Sequence, residues 1–366
     1  MDEFTLIDNI EKISKCTVMK AFNNSIRTLR GMLQSGTYAL DSTIIETNPD
    51  FPGCGKTKRK KEGRPNDPPE YENIYGFKLF VLYEVKSRII VAMYIVPANE
   101  SDHNYFLPMV KQGIHNCGKG RIQMVIADRG FLNGAHLWEL KHKLGVDFII
   151  PAKAGMIIRE DAIGLREMYK KKPLAEWPYG KDKCQGYGVE GLQSYFEYNP
   201  KGVKDNSKTN GSPLNALVVT TWRGKAVSPE KQVVLLTSLP VEEDAASIAK
   251  KYRLRTLIEN CGFRELKQAA YLKHLPRRCG ENAESAAYLH IMLCVFAHTL
   301  FYAFLGYRKK QAPRQSDGDC LRAWRRRESI KESKKILIVA EEKYYALFEI
   351  SELLDILGVK QKYKLK

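Results

Sequence analysis

Three carboxylates in this sequence stand where acids can act together. Asp41 closes the apolar run Tyr38-Ala39-Leu40 and leads into Ser42-Thr43. Asp128 closes a cleaner run, Met124-Val125-Ile126-Ala127, and is followed by Arg129-Gly130-Phe131. Glu259 sits in a stretch of helical pattern that also carries Tyr252, Arg255 and Lys267. Two strand-end aspartates and a helix glutamate can converge on a pair of divalent metal ions. Such a pair activates one oxygen and stabilises the leaving one in phosphoryl transfer. A strand-end Asp is short and rigidly placed, and the carboxyl ends of strands are where α/β sheets build their sites. Taken singly, each acid also has a plainer account. Asp-Ser-Thr suits a turn or a helix cap, and Asp128 can pair with Arg129 at the surface.

Tyr252, Arg255 and Glu259 lie at i, i+3 and i+7, which places them on one face of a helix. Arginine offers a bidentate fork for a phosphate, lysine a point charge, and tyrosine a hydroxyl or a stacking face. An ordinary Arg–Glu pair on an exposed helix has the same pattern.

The chain has 366 residues, a formal charge of +17 and 44% hydrophobic residues. It is long enough for one large domain or two to three ordinary ones. The basic excess favours a polyanionic partner. None of the eight cysteines forms a Cys-x-x-Cys pair, so a structural zinc site is not expected. The N-terminus, Met-Asp-Glu-Phe-Thr, lacks the basic and apolar regions of a signal peptide. The expected setting is therefore the cytoplasm, with reduced thiols. Ala286 to Gly306 carries no charged residue and is long enough to span a bilayer. Its His, Thr, Cys and Tyr residues favour a helix buried in a soluble core, so no membrane partner is expected.

These residues need elements to position them. Tyr38 to Glu46 reads as a strand. Residues 49–72, with the basic run Lys56-Thr57-Lys58-Arg59-Lys60-Lys61 and Pro65, Pro68 and Pro69, read as a loop that could track a phosphate backbone. Tyr75 to Val85 and Ile89 to Val96 form a hairpin around Lys86-Ser87-Arg88. Further along come a helix from Ser101 or Asp102 to Gly113, a strand Gln123 to Ala127, a helix capped by Asn133, and a strand Val146 to Ile150. That order predicts an α/β fold with a mixed sheet flanked by helices. Between Ala152 and Pro240 turn residues are frequent, with β-like runs at Leu192 to Tyr198, Ala216 to Trp222 and Gln232 to Thr237. Asp244 caps a long helix to about Ala270, and a second helix covers Glu281 to Gly306. The remainder is basic, with Arg322, Arg325, Arg326 and Arg327, and then helical from Ile336 to Leu357. The expected division is a short helical segment 1–36, a core in two parts (37–151 and 244–310), a β-rich insertion 152–243, and a basic, helical C-terminal region 311–366.

The motifs Asp41-Ser42-Thr43, Asp128-Arg129-Gly130-Phe131, Tyr252-x-x-Arg255-x-x-x-Glu259 and Phe263-Arg264-Glu265-Leu266-Lys267 resemble those of bacterial insertion-sequence transposases. Specifically, they are similar to the DDE group with a Tyr-Arg-Glu-Lys signature, over roughly residues 38–270. The resemblance implies a ribonuclease H-like core with a β-rich insertion before the third catalytic residue. It implies catalysis by Asp41, Asp128 and Glu259, which would hold two Mg²⁺ ions (Mn²⁺ being able to substitute). It implies contacts from Tyr252, Arg255 and Lys267 to DNA. The partners would be double-stranded DNA, both transposon ends and target, bridged by a homodimer in the bacterial nucleoid. In that family the lysine follows the glutamate by seven residues, whereas here Lys267 follows Glu259 by eight. A π-bulge near Gly262 would absorb the extra residue, since such bulges favour functional sites. Glu265 is the alternative third carboxylate. Family members carry a DNA-binding region ahead of the first Asp. With forty residues before Asp41, that region is expected to be reduced or the frame truncated. A DNA-binding regulator that does not transpose, or a metal-dependent nuclease, would share these motifs. Trp177 and Trp222, in the insertion, could stack on an unpaired base but more often serve packing. His103 reads as a helix-start residue.

Overall fold

The computed structural model describes residues 14–61, 70–170, 172–202, 211–224, 231–276, 282–311, 335–340 and 344–349. The chain forms two compact units, Met1–Ala303 and Phe304–Lys366. The first unit is built on one mixed sheet of ten strands among the described residues.

β1 (Thr37–Thr47) is the hinge of the design. It pairs antiparallel with β3 (Tyr71–Glu84) on one side and parallel with β5 (Met124–Ala127) on the other. β2 (Gly55–Lys60) and β4 (Ile90–Pro97) share the far edge of β3 end to end, β2 along Tyr71–Gly76 and β4 along Phe77–Tyr83. β6 (Asp147–Pro151) follows β5 in parallel. Three antiparallel strands leading into two parallel ones, β4-β3-β1-β5-β6, make the ribonuclease H-like centre of the sheet. The strands form here because the sequence supplies unbroken apolar runs. Phe77 and Leu79 to Tyr83 of β3 are fully buried, as are Ile90 to Met93 of β4. Strands covered on both faces carry such runs.

Helices cover both faces. α1 (Lys15–Thr28), capped by the Ser14 side chain, buries Val18, Phe22 and Ile26 at i, i+4 and i+8. α2 (Asp102–Cys117) follows β4, and α3 (Gly134–His142) starts at the Asn133 cap, whose side chain accepts from the His136 amide. Each fully buried Phe or Ile contributes about 1.5–3 kcal/mol. α4 (Ile157–Met168) leads into a four-strand antiparallel extension. β7 (Ala175–Tyr179), β8 (Asp182–Leu192), β9 (Leu214–Arg223) and β10 (Lys231–Thr237) continue the core sheet through a β10–β6 pairing. The Asp244 side chain caps α5 (Ala245–Arg253), a π-helical turn spans Ile258–Phe263, and α6 (Arg264–Gln268) completes the segment. α7 (Ala283–Gln311) is the long apolar helix. Half of its apolar stretch is buried. It packs Tyr288 edge-on against Phe77, and Phe296 against Phe22. Thr299 Oγ1 donates to the Ile90 carbonyl.

Several sequence expectations are corrected. Gly55–Lys60, expected within a loop, is a strand. Its Lys/Thr/Arg composition shows no apolar face because β2 is an exposed edge. Leu192 to Tyr198 is not a strand; the strand is β8, just upstream. Gly186, Gly188 and Gly191 disguised it as turn. At Gly188 a Cβ would lie 2.7 Å from the Leu174 side chain and 3.0 Å from that of Val241, so any larger residue there would push these side chains aside. In the second unit, Lys335–Ala340 (β11) and Tyr344–Glu349 (β12) pair antiparallel where a helix was expected. The β-branched and aromatic residues of those runs favour strands. Leu6, Ile10, Ile13, the Arg322–Arg327 cluster, Cys279 and Cys320 lie outside the described residues, as do 350–357 of the expected C-terminal helix.

Candidate active site

The parallel register of β1 and β5 sets Leu40 beside Ala127. Asp41 and Asp128 are the next residues on neighbouring strands, whose backbones run ~4.8 Å apart. Local backbone amides fix both. Asp41 Oδ1 accepts from the Ser42 amide at 2.8 Å, and Asp128 Oδ1 from the Arg129 amide at 2.8 Å. The latter bond caps the short 3₁₀ turn Arg129–Phe131.

The third carboxylate comes from the π-helical turn. Arg255 Nη1 lies 2.9 Å from Asp41 Oδ2 and 2.9 Å from Glu259 Oε1. One guanidinium nitrogen therefore bridges the strand aspartate and the helix glutamate. Burial is the largest influence on Asp41 and raises its pKa to about 6. The Ser42 amide and Arg255 oppose this, while Glu259 and Asp128 reinforce it. A carboxyl raised in this way by burial, with two further carboxylates adding to the rise, is a common feature of functional sites.

Asp41, Asp128, Arg255, Glu259 and Lys267 line a single cleft of about 470 Å³. Five of the six residues singled out in the sequence thus meet. Lys267 is half-buried, and its pKa is lowered first by burial and then by Lys273, which lines the same cleft. The sixth, Tyr252, lies beside the cleft rather than in its lining. Its hydroxyl is raised in pKa chiefly by burial, with Arg255 opposing the rise, and the residue lines a neighbouring groove of about 490 Å³. There Trp177 and Tyr179 flank Arg253, whose guanidinium lies 4.3 Å from the Tyr179 ring centre and 5.9 Å from that of Trp177. The Trp177 indole N–H is buried without a partner among the described residues.

The cleft also takes in Arg264, Gln268 and Lys273. Arg264 belongs to a motif already quoted. Lys273 follows α6 in irregular chain, where no local pattern marks it. Glu265 does not line the cleft. Its carboxylate accepts from the Tyr302 hydroxyl and lies 3.6 Å from His298 Nε2 on α7. His103 is bound to Ser101 at the start of α2. Trp222 on β9 lines neither cavity.

Carboxylate oxygens are the donors that hard divalent cations prefer. Among the described residues no three acidic, His or Cys side chains are gathered tightly enough to hold an ion as they stand. The Arg255 guanidinium places a positive charge between Asp41 and Glu259. The donor set fits a cation once that charge is exchanged.

Residues 33–296 match the transposase DDE domain family, and the chain belongs to that family. Members of it are generally dependent on divalent metal. Among solved structures, the chain is similar to a piggyBac transposase in a synaptic complex with hairpin DNA, determined by cryo-electron microscopy. The identity is 14% and the TM-score 0.44, over 83% of this chain and 54% of that one. The chain thus spans about half the length of that relative. No curated protein matches it.

Proposed function

We propose that this protein is a DNA transposase that cleaves transposon ends and joins them to target DNA. The observation that carries this is the convergence of Asp41, Asp128 and Glu259 on one basic cleft, with Arg255 neutralising two of them. Asp41, Asp128 and Glu259 would hold two Mg²⁺ ions, with Mn²⁺ able to replace them. When bound, the ions would polarise the scissile phosphate and favour an attacking oxygen at neutral pH. The protein's own share is positioning. The Ser42 and Arg129 amides aim the two aspartates. Arg255, released from Asp41 and Glu259, presents its fork to a phosphate oxygen. Lys267 and Lys273 add point charges against the charge that develops on the phosphate. Tyr252 holds Arg255 and opens the way to the aromatic groove, which suits an unpaired base.

On this basis residues 37–151 and 244–310 are the catalytic core and 152–243 the insertion. The partner is double-stranded DNA, and two copies of the chain bridge the two ends in the bacterial nucleoid. The intact carboxylate set favours a working enzyme over a regulator descended from one.

Cleavage of a labelled duplex carrying the element's own terminus, with Mg²⁺, tests this. Wild type nicks at the terminus, and Asp128→Asn binds the same DNA without cutting it. Binding without cutting by wild type, in Mg²⁺ or Mn²⁺, would overturn the proposal. Equal cutting by the variant would remove Asp128 from the site.

A further inference from the structure

The basic run Lys56–Lys61 takes no part in the cleft, yet its strand gives it an order. β2 pairs with β3 so that Lys56 faces Tyr75, Lys58 faces Asn73 and Lys60 faces Tyr71. Between these pairs lie Thr57 with Ile74, and Arg59 with Glu72. Side chains alternate across a sheet. One face of the hairpin therefore carries Lys56, Lys58 and Lys60 with Tyr71, Asn73 and Tyr75. The acids gather on the other face, where Arg59 binds Glu72 at 2.6 Å and also Glu46. Among the described residues no carboxylate lies within ion-pair distance of Lys56, Lys58 or Lys60. Lys56 Nζ instead lies 5.8 Å from the Tyr75 ring centre. All three lysines and Tyr71 are exposed.

A charged edge strand by itself only discourages pairing with another sheet. That purpose does not require lysines and carboxylates to be sorted onto opposite faces. The sorted face also has a direction. Asp41 faces Val81 and Thr47 faces Tyr75, so the lysine–tyrosine face continues the face of the sheet that carries Asp41. From Val81 to Tyr75 is six residues along β3, and from Val81 to Tyr71 is ten. At ~3.3 Å per residue the face begins ~20 Å from Asp41 and ends ~33 Å away. Its lysines recur every ~6.6 Å, interleaved with aromatic rings. A rigid, evenly charged polyanion matches such a row, and duplex DNA rises ~3.4 Å per base pair.

We propose that this face of the β2–β3 hairpin binds the backbone of duplex DNA about six to ten base pairs from the phosphate held in the cleft. The proposal rests on the DNA-cleaving function above, and its test separates the two. Duplexes carrying the terminus are extended on either side of the cut in steps from four to sixteen base pairs. Their affinity is read by fluorescence anisotropy in EDTA over a range of NaCl, for wild type and for K56Q/K58Q/K60Q. Wild type gains affinity as the extension passes about six to ten base pairs. Its log–log salt slope steepens by about 2–3, close to 0.9 per lysine engaged. The triple variant melts like wild type, cuts the shortest duplex at the wild-type rate in Mg²⁺, and shows neither gain. Tyr71→Ala, which keeps every charge, loses part of the affinity gain but keeps the slope. A triple variant that retains both length dependence and slope overturns the inference. So does a wild type that cuts but gains nothing with length. A wild type that neither binds nor cuts any duplex overturns the parent function and this inference together.

Discussion

Asp41→Asn should stabilise the metal-free protein, increasingly as the pH rises. Asp41 has an ordinary value of 3.8 when unfolded and about 6 in the fold, with burial as the main cause. Its side chain is only 14% exposed, so solvent screening takes little from the effect. The sign follows from the raised pKa. Below pH 3.8 the carboxyl is neutral in both states and costs nothing. As the pH climbs through 6, the folded state must ionise a group that its surroundings oppose, and stability falls. Two pKa units correspond to about 3 kcal/mol in full, of which ~1.4 kcal/mol develops between pH 5 and 8. Asparagine escapes that loss. It has one acceptor oxygen where the carboxylate has two, so it gives up either the Ser42 or the Arg255 hydrogen bond, at ~1–2 kcal/mol that hardly changes with pH. The net gain at pH 8 is therefore ~1–2 kcal/mol, and the variant-to-wild-type difference widens by ~1.4 kcal/mol from pH 5 to 8. Urea unfolding in EDTA across that range measures both. A difference that stays flat, or that narrows with pH, would refute the idea that the buried setting of Asp41 opposes its negative charge. The same charge is what a divalent cation relieves, so Mn²⁺ should stabilise wild type at pH 8 and leave Asp41→Asn nearly unmoved.

Two further substitutions separate the roles around this charge. Arg255→Gln removes the guanidinium that now bridges Asp41 and Glu259. Calorimetry without DNA should show Mn²⁺ bound at least as tightly as by wild type, while affinity for a DNA terminus falls by ~1.5–3 kcal/mol with the lost charged hydrogen bonds. Loss of metal uptake would show that Arg255 builds the ion site rather than competing for it. Trp177→Ala should weaken binding of a terminus bearing an unpaired base by ~1–3 kcal/mol and leave a fully paired duplex unaffected. Equal losses on both substrates would make the Trp177 groove a packing feature.

The carboxylates were legible because the chain announces where its strands end. Met124 to Ala127 is a four-residue apolar run buried throughout, and Asp128 is its first polar neighbour. Asp41 was legible by the same contrast, although β1 continues past it to Thr47. What the sequence hid follows from the same physics. α4 does carry a helical stripe, Ile158, Ala162 and Leu165 at i, i+4 and i+7, but it is a short one set inside a turn-rich stretch. β8 was broken up by Gly186, Gly188 and Gly191, the last of them at a positive φ of 73°, and β2 had no apolar face at all. Lys273 reaches the cleft only through the turn after α6, which no local pattern encodes.

Glu259 and Lys267 show how a local irregularity can be read in advance from a demand for convergence. On an unbroken α-helix, eight residues turn about 800°, which would leave Lys267 ~80° around the helix from Glu259. Both nevertheless line the same cleft. The turn Ile258–Phe263 is π-helical, and its i→i+5 bonds take one more residue into the turn. Eight residues then make the two turns that seven would make in an α-helix. Glycine at 262 fits inside this widened turn, buried 3.6 Å from both the Ile258 and Tyr83 side chains for a Cβ built there. Glu265, two residues before Lys267, accepts from the Tyr302 hydroxyl and lies 3.6 Å from His298 Nε2 on α7, which anchors the segment after the bulge. The extra residue that sets this chain apart from the signature it resembles is thus accommodated without moving Glu259 or Lys267 out of the cleft.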